Sequence, residues 1–326
     1  MKTVNPNKAS SLESPIHPIF SSVDFYIDTP MIGKLEETLT RWIWTGQTGG
    51  CVLGGARMGK TRAAESLKLN LKSRTNEHVP AHHVTISNRD VKTVTSVFRR
   101  LALSLGEELK ARDTTDDISA RIIVKLADQA QGNHTRQVVL LVDEFQRLTI
   151  QQFAAFSELY DQLREIRVNL VTVFIGNKNE SSQLLEQIYL TEHEHICGRF
   201  FINNFEFGGI SNLDDVKYCL RQYDSVRHIP GNTDTTTQYF LREEFNSGFR
   251  LAALAETIWS IFNQDYRKKL HLKFWGTQYF LVAINTLLLD YLPRYGVSDR
   301  AKIEEMIMRS IDTSGLLSGL IGVCND

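Results

Sequence analysis

The sequence has few cysteines, and they lie far apart. Its 326 residues include only Cys51, Cys197, Cys219 and Cys324, and no two of them form a CxxC pair. Disulfide frameworks and structural zinc sites need closely spaced cysteines. The pattern argues against both classes and fits a reducing compartment, so we expect a cytoplasmic location.

Long apolar runs and an excess of charge are also missing. No stretch approaches the roughly 18 apolar residues of a membrane span, and the polar residues 1–15 lack the apolar segment of a signal peptide. We therefore expect no contact with a membrane. The 37 basic and 38 acidic residues give a net charge of −1. Because no global field attracts nucleic acid, such a contact must come from a local basic patch.

One motif for binding phosphate is present, GGARMGKT at residues 54–61. Gly54, Gly59, Lys60 and Thr61 fill the fixed positions of the pattern GxxxxGK[ST]. The glycines let backbone N–H groups face phosphate oxygens, Lys60 reaches the β and γ phosphates, and the Thr61 hydroxyl can bind Mg²⁺. We predict an ATP site formed by Gly54, Gly55, Ala56, Arg57, Met58, Gly59, Lys60, Thr61 and Arg62.

Apolar runs alternate with helical patterns over the first two thirds of the chain. The predicted strands are residues 51–53, 81–87, 137–142, 169–177 and 200–205. Such alternation predicts an α/β fold in which five mostly parallel strands form a sheet between two layers of helices. Ligands of such sheets bind at the carboxyl ends of the strands, where the phosphate motif lies.

The pattern becomes wholly helical after residue 207. We predict a flexible arm at residues 1–15, a nucleotide-binding domain at 16–207, and a helical lid with further C-terminal helices at 208–326.

Polar residues follow two of the predicted strands. Asp143 is placed to hold Mg²⁺ together with Thr61, and Glu144 could deprotonate an attacking water. Asn177 would lie beside Glu144 if their strands are neighbours, and its amide could then bind the water and the γ-phosphate. The alternatives are that Asp143 and Glu144 only end a strand and cap a helix, and that Asn177 is a turn residue.

These motifs, in this order, resemble those of AAA+ ATPases. The shared features are GGARMGKT, LLVDEF, VFIGN, an arginine ahead of the fifth strand, and SGFRLAAL. More narrowly, FYIDTP, VDEFQRL, and FIGNKN followed by ICGRF resemble the TnsC family, which regulates target selection in Tn-seven-type transposons, including CRISPR-associated ones. The resemblance covers about residues 20–262.

The resemblance implies roles for five residues. Asp143 and Glu144 would form the Walker B motif, Asn177 a sensor-one, Arg199 an arginine finger that enters a neighbouring subunit's site, and Arg250 a sensor-two. The alternative is that both arginines are ordinary surface residues.

The resemblance also implies a function and partners. A TnsC-like ATPase forms a homo-oligomer, as a ring or short helical filament, on double-stranded DNA, and it links a target-selection adaptor of the TniQ type to the transposase subunits. The alternative classes are a signalling NTPase that acts as a protein-interaction switch without DNA, and a small-molecule kinase, for which the sequence shows no acceptor pocket.

A local basic cluster follows the second predicted strand. It consists of Arg89, Lys92, Arg99 and Arg100, in a region where initiator-type AAA+ proteins resemble one another in touching DNA. No aromatic series accompanies it, which favours contacts with a duplex backbone over stacking on a single strand. The alternative is a solvated helix face.

The sequence HEHIC places three possible metal ligands close together. His193, His195 and Cys197 alternate along the chain, but no second pair lies nearby. We therefore expect no metal site here and assign the stretch to a subunit contact.

Overall fold

The computed structural model describes residues 17–21, 25–88, 92–229 and 233–323. The predicted arm at 1–15 and Arg89 lie outside the described residues. The strands are β1 (Gly49–Gly54), β2 (Ala81–Thr85), β3 (Gln137–Asp143), β4 (Asn169–Asn177) and β5 (Asn204–Glu206). They form one sheet in the order β2-β3-β4-β1-β5, and all paired strands are parallel. The predicted α/β fold with a five-strand parallel sheet is confirmed.

Helices cover both faces of the sheet. They are α1 (Pro30–Trp44), α2 (Lys60–Asn70), α3 (Val94–Ser104), α4 (Thr115–Ala130), α5 (Phe153–Glu165) and α6 (Ser182–Ile188). Successive side chains of β3 point to opposite faces: Val138 and Leu140 pack in the core with α3, α4 and α5, whereas Val139 and Leu141 pack in the core with α1 and α2. All seven residues of β3 are buried. The apolar run within this strand predicts burial on both faces.

The prediction of a strand at 200–205 is wrong in its position. Phe200 and Phe201 belong to a π-helical turn, Cys197–Phe201, and β5 begins later. Both rings contact Phe174, at centroid distances of 5.6 and 5.1 Å. A strand would send consecutive side chains to opposite faces of the sheet, so only a helical turn lets both phenylalanines enter the same core.

The rest of the described chain is helical. After the short α7 (Glu194–Ile196) come α8 (Leu213–Ser225), α9 (Thr236–Phe240), α10 (Arg242–Asn246), α11 (Ala255–Ile261), α12 (Thr277–Thr286), α13 (Leu292–Tyr295), α14 (Arg300–Thr313) and α15 (Leu316–Val323). The π-helical segments Phe262–Arg267 and Leu287–Tyr291 extend α11 and α12. No helix in the described part of the chain is long and apolar enough to cross a membrane.

The C-terminal helices have a core of their own. Residues from α8, α11, α12 and α14 form it, and Ile19, Phe25 and Ile27 from the N-terminal segment pack into it. Hydrogen bonds tie the same segment to α8: Gln222 Nε2 donates to the Asp28 carbonyl at 2.6 Å, and its Oε1 accepts from the Asp28 N–H at 2.8 Å. The N-terminal segment thus packs against the C-terminal helices, whereas α1, which follows it, packs against the sheet.

Candidate nucleotide-binding site

The phosphate motif forms the loop between β1 and α2. Gly59, just before α2, has φ 97°, a left-handed conformation that glycine adopts without strain. Gly54, at the start of the loop, lets the backbone of Phe207 approach closely. A Cβ on Gly54 would lie only 2.3 Å from the Phe207 carbonyl oxygen. Residues 56–62 line a cavity of about 810 Å³. The loop therefore lines a cavity and leads into a helix N-terminus that favours anions.

Lys60 carries the positive charge of this loop. Its Nζ donates hydrogen bonds to the carbonyl oxygens of Gly54, at 2.9 Å, and Gly55, at 2.7 Å. Burial lowers the pKa of the ammonium group, and the nearby carboxylates of Asp143, Glu144 and Glu180 partly offset this effect. The ammonium is thus held by loop carbonyls at the site where we predict phosphate oxygens to bind.

Thr61 and Asp143 lie together, as their predicted roles at a magnesium ion require. The Thr61 hydroxyl donates to Asp143 Oδ2 at 2.8 Å, His83 Nε2 lies 3.4 Å from the same oxygen, and the Glu144 N–H donates to Oδ1 at 2.9 Å. Burial by itself would raise the pKa of Asp143, but the hydrogen bonds from His83 and Thr61 outweigh it and hold the pKa below its usual value.

Two converging hard oxygens suit Mg²⁺, which takes few protein ligands and completes its shell with substrate phosphates and water. Within the described ranges, no group of three or more His, Cys, Asp and Glu side chains could hold a metal ion. His193 lies 3.8 Å from Glu192 rather than in such a group. The residues present therefore fit a metal bound together with a nucleotide.

Glu144 lies at the cavity in a left-handed backbone conformation, with φ 60°. Its Oε2 accepts a hydrogen bond from Gln146 Nε2 at 3.0 Å and forms an ion pair with Arg147 Nη2 at 2.9 Å. Asn177 also lines the cavity, and β4 lies beside β3. The structure thus brings Glu144 and Asn177 to one cavity, as adjacent strands predict.

Sequence reasoning missed Glu180, which binds the side chains around it. Asn177 Nδ2 donates to Glu180 at 2.5 Å, and Gln146 Nε2 donates to Glu180 at 3.2 Å. The amide of Asn177 is therefore held by a carboxylate rather than left open toward the cavity. No motif signals this role, since Glu180 lies in an ordinary polar stretch after β4.

The arginine predicted as a finger and the arginine predicted as a sensor-two both lie outside the cavity at the phosphate loop. Arg199 donates to Asp161 at 3.1 Å and stacks on the Tyr160 ring at 4.6 Å. Arg250 lies over the Phe245 ring at 3.6 Å and donates to the Phe245 carbonyl at 2.8 Å. Neither side chain lines the cavity at the phosphate loop of its own chain. Their predicted roles therefore require another subunit for Arg199 and a movement of the lid for Arg250.

Arg57 of the motif and Arg62, the residue that follows it, make local contacts. Arg57 Nη1 donates to Gln278 Oε1 at 3.1 Å, and the Gln278 N–H donates to the Arg57 carbonyl at 3.1 Å. Arg62 pairs with Glu65 at 2.9 Å. Through Arg57, the phosphate loop is attached to the N-terminal end of α12.

Part of the cavity wall is apolar, and sequence reasoning did not assign it. The N-terminal segment contributes Phe25, Tyr26 and Ile27, and α12 contributes Leu281 and Asn285. An apolar wall with a few polar groups is typical of a pocket for a nucleoside base. The short run Phe25-Tyr26-Ile27 is recognisable in the sequence. Only the fold shows that it lines the same cavity as α12.

Three residues of the predicted basic cluster line a smaller cavity of about 190 Å³, which we call the basic cavity. Lys92, Arg99 and Arg100 line it, together with Arg147. Arg100 Nε donates to the Thr85 carbonyl at 2.8 Å. Because Thr85 ends β2, the basic cavity lies next to the strand ends that carry Asp143 and Glu144.

The fold is the P-loop fold found in AAA+ domains, and the residues at its strand ends are those of an ATPase. Residues 44–185, which are less than half of the chain, match the family model described as "AAA domain". This stretch includes the phosphate loop, Asp143, Glu144 and Asn177. The predicted ATPase class is thereby confirmed, and the chain binds nucleotide.

Several solved structures are similar to this chain. Drosophila ORC bound to DNA matches at 15% identity over 89% of this chain and 70% of the other, with a TM-score of 0.53. The Walker-type ATPase paby2304 of Pyrococcus abyssi matches at 16% identity over 93% and 77%, with a TM-score of 0.50. Likeness at such identities shows the fold alone. The comparison with curated proteins gives no match.

Proposed function

We propose that this ATPase is a regulator of DNA transposition of the TnsC kind. ATP-bound subunits assemble as a ring or short helical filament on double-stranded DNA, mark the target, and recruit the transposase subunits through contacts that also involve an adaptor of the TniQ type. The observation that carries the DNA part is the basic cavity, which opens beside the strand ends of the ATP site. The DNA-bound state of the similar Drosophila ORC structure supports it.

The geometry supports hydrolysis rather than transfer to a metabolite. Lys60 leaves the loop carbonyls and neutralises the β and γ phosphates, while Thr61 and Asp143 would hold Mg²⁺, which supplies charge neutralisation for the same oxygens. Glu144 accepts a proton from a water molecule whose oxygen attacks the γ-phosphorus, and the bond to the ADP oxygen breaks. Asn177 orients the water after it leaves Glu180.

Assembly would complete the site. Arg199 lies away from its own phosphate loop, 26% exposed, and its partner Asp161 is 55% exposed. Exposed apolar side chains lie near it in sequence, at Tyr189, Leu190 and Ile202. We propose that this surface meets the nucleotide of the next subunit, which makes hydrolysis depend on assembly. The proposed location of the whole assembly is the cytoplasm.

A salt titration tests the contact with DNA. Replacing both Arg99 and Arg100 by Ala should weaken binding of the ATP-bound protein to duplexes of unrelated sequence by similar factors. Each lost phosphate contact should reduce the slope of log affinity against log salt by about 1. Fluorescence anisotropy with a labelled duplex measures both.

A matched control removes the same charge elsewhere. Arg41 and Arg164 are exposed, on α1 and α5, and their double replacement by Ala should leave the salt slope unchanged. If the Arg99 and Arg100 variant keeps the wild-type slope, the basic cavity is a solvated surface and does not bind DNA.

A further inference from the structure

His83 approaches the predicted magnesium ligand Asp143 from the neighbouring strand. In the pairing of β2 with β3, His83 lies opposite Leu141, two residues before Asp143. Residues two apart on a strand point to the same face, so His83 and Asp143 are diagonal neighbours, within reach of an aromatic side chain. Leu141 packs in the core with α1 and α2. His83 therefore reaches Asp143 on the face of the sheet that α2, the helix of Thr61, covers.

Hydrogen bonds hold both oxygens of the Asp143 carboxylate. Oδ1 accepts from the Glu144 N–H, whereas Oδ2 accepts from the Thr61 hydroxyl and lies 3.4 Å from His83 Nε2. Because an ionised carboxylate offers only acceptors, the contact with His83 requires the proton to lie on Nε2. The side chains of His83 and Asp143 are 10% and 1% exposed. Water therefore has little access to replace this hydrogen bond.

The partners of the carboxylate differ in what they can do at a metal ion. The Thr61 hydroxyl is itself a predicted ligand, and the Glu144 N–H holds only the oxygen Oδ1. Within the described ranges, His83 belongs to no group of three or more His, Cys, Asp and Glu side chains that could hold a metal ion. Groups that hydrogen-bond a ligating carboxylate orient it, and their replacement typically costs 10–100-fold in metal affinity. The imidazole therefore fits the part of a partner to a ligand.

We propose that His83 is a positioning residue for the magnesium ion that binds with ATP. Its Nε2–H holds Asp143 Oδ2 while the Glu144 N–H holds Oδ1, so the orientation of the carboxylate is fixed in advance. A side chain that is already fixed loses less conformational freedom on binding, and Mg²⁺ demands near-ideal octahedral geometry from its ligands. The inference rests on the magnesium site proposed at Thr61 and Asp143, and it adds the residue that orients one of the two ligands.

The test measures ATP affinity by calorimetry, in EDTA and at a series of Mg²⁺ concentrations. His83→Leu keeps a side chain of similar size and removes the donor. Its ATP affinity in EDTA should equal that of the wild type, because the phosphate loop is unchanged. The Mg²⁺ concentration that gives half of the full increase in ATP affinity should rise about 10–100-fold. A residue that only supported the fold would not separate these two affinities.

A conservative variant separates the hydrogen bond from packing. His83→Gln places an amide nitrogen at about the reach of Nε2 and should show nearly the wild-type dependence on Mg²⁺. His83→Asn has a shorter amide that does not reach Asp143, so it should lose Mg²⁺ affinity as the leucine variant does, and it serves if that variant is unstable. The matched control is His78→Leu, which removes an exposed imidazole 3.0 Å from the Lys68 carbonyl and should behave as the wild type.

A spectroscopic measurement distinguishes a positioning residue from a ligand. Mn²⁺ is a paramagnetic substitute for Mg²⁺, and its electron spin-echo signal is modulated by a directly bound imidazole nitrogen. Spectra of the wild type with ATP and Mn²⁺ should show no such modulation, because His83 acts through Asp143.

Three results would overturn the inference. Unchanged Mg²⁺ dependence in both His83→Leu and His83→Asn would mean that the hydrogen bond does not orient the carboxylate. An equal loss in His83→Gln, or a lower ATP affinity in EDTA, would mean that His83 acts through packing. Nitrogen modulation with Mn²⁺ would make His83 a ligand. Wild-type ATP binding that does not respond to Mg²⁺ at all would contradict the proposed magnesium site itself, and the inference with it.

Discussion

At the scale of single residues, the ATP site shows side chains in place but engaged with one another. Lys60 is bound to loop carbonyls, Glu144 to Arg147, and Asn177 to Glu180. A nucleotide that brings phosphate oxygens into the cavity offers Lys60 stronger, charge-assisted partners than carbonyl groups. The residue types follow from sequence motifs, whereas these internal pairs depend on side-chain positions that only the fold defines.

Glu144→Gln should keep ATP binding and lose most hydrolysis. The amide has the same size but cannot accept the proton from water, and general bases contribute on the order of 10²–10⁴-fold in rate. Phosphate release under saturating ATP measures turnover, and calorimetry measures binding. Glu165→Gln, an exposed change at the end of α5, should have no effect. Normal turnover in Glu144→Gln would mean that another residue is the general base.

At the scale of elements, the N-terminal segment joins the apolar wall of the cavity to the C-terminal helices. His17 is buried against Phe25, Tyr239 and Phe240 and lies 6.0 Å from the ring of His228. Its Nδ1 accepts a hydrogen bond from the Ile19 N–H. Burial and the neighbouring His228 lower the pKa of His17 from 6.5 to about 4. This imidazole is therefore neutral in the folded protein at neutral pH.

The stability of the protein should fall in acid because of this histidine. Between pH 6.5 and about 4 the unfolded chain binds a proton that the folded His17 does not, so unfolding becomes more favourable as the pH decreases through this window. His17→Gln keeps an acceptor for Ile19 and removes the titration. Its melting temperature should therefore decrease less than that of the wild type when the pH is lowered through this window, by scanning calorimetry.

The control for this experiment is His195→Gln, an exposed histidine, which should follow the wild-type pH dependence. If His17→Gln also follows the wild-type curve, protonation of His17 is not coupled to unfolding.

Elements with a strong pattern could be predicted, and those set by tertiary packing could not. The uninterrupted apolar run of β3 defines a strand buried on both faces, and the phosphate motif fixes the β1–α2 loop. The turn at Phe200 and Phe201 reads equally well as a strand, because two adjacent phenylalanines have no helical or alternating period. Only their packing against Phe174 decides it.

At the scale of the whole molecule, the proposed role of Arg199 as an arginine finger predicts that hydrolysis depends on other subunits. Arg199→Ala should bind ATP as the wild type does and lose turnover by a factor on the order of 10³–10⁵, the usual effect of an arginine finger. Turnover per wild-type subunit should rise steeply with protein concentration. Mixing Arg199→Ala with Glu144→Gln should restore part of the activity, because an intact Arg199 then faces an intact Glu144 at some interfaces.

Co-assembly of the two variants is checked by light scattering. If they assemble together and no hydrolysis returns, a different arginine completes the site, or each subunit has a self-contained site.

The proposed function requires that ATP makes this protein assemble on duplex DNA. Electron microscopy of the protein with a duplex of random sequence tests it most directly, in the presence of ATP, ADP or no nucleotide. We expect rings or short filaments around the DNA with ATP, and single subunits with ADP or without nucleotide. Single subunits in the presence of both DNA and saturating ATP, from protein that demonstrably binds ATP, would contradict it.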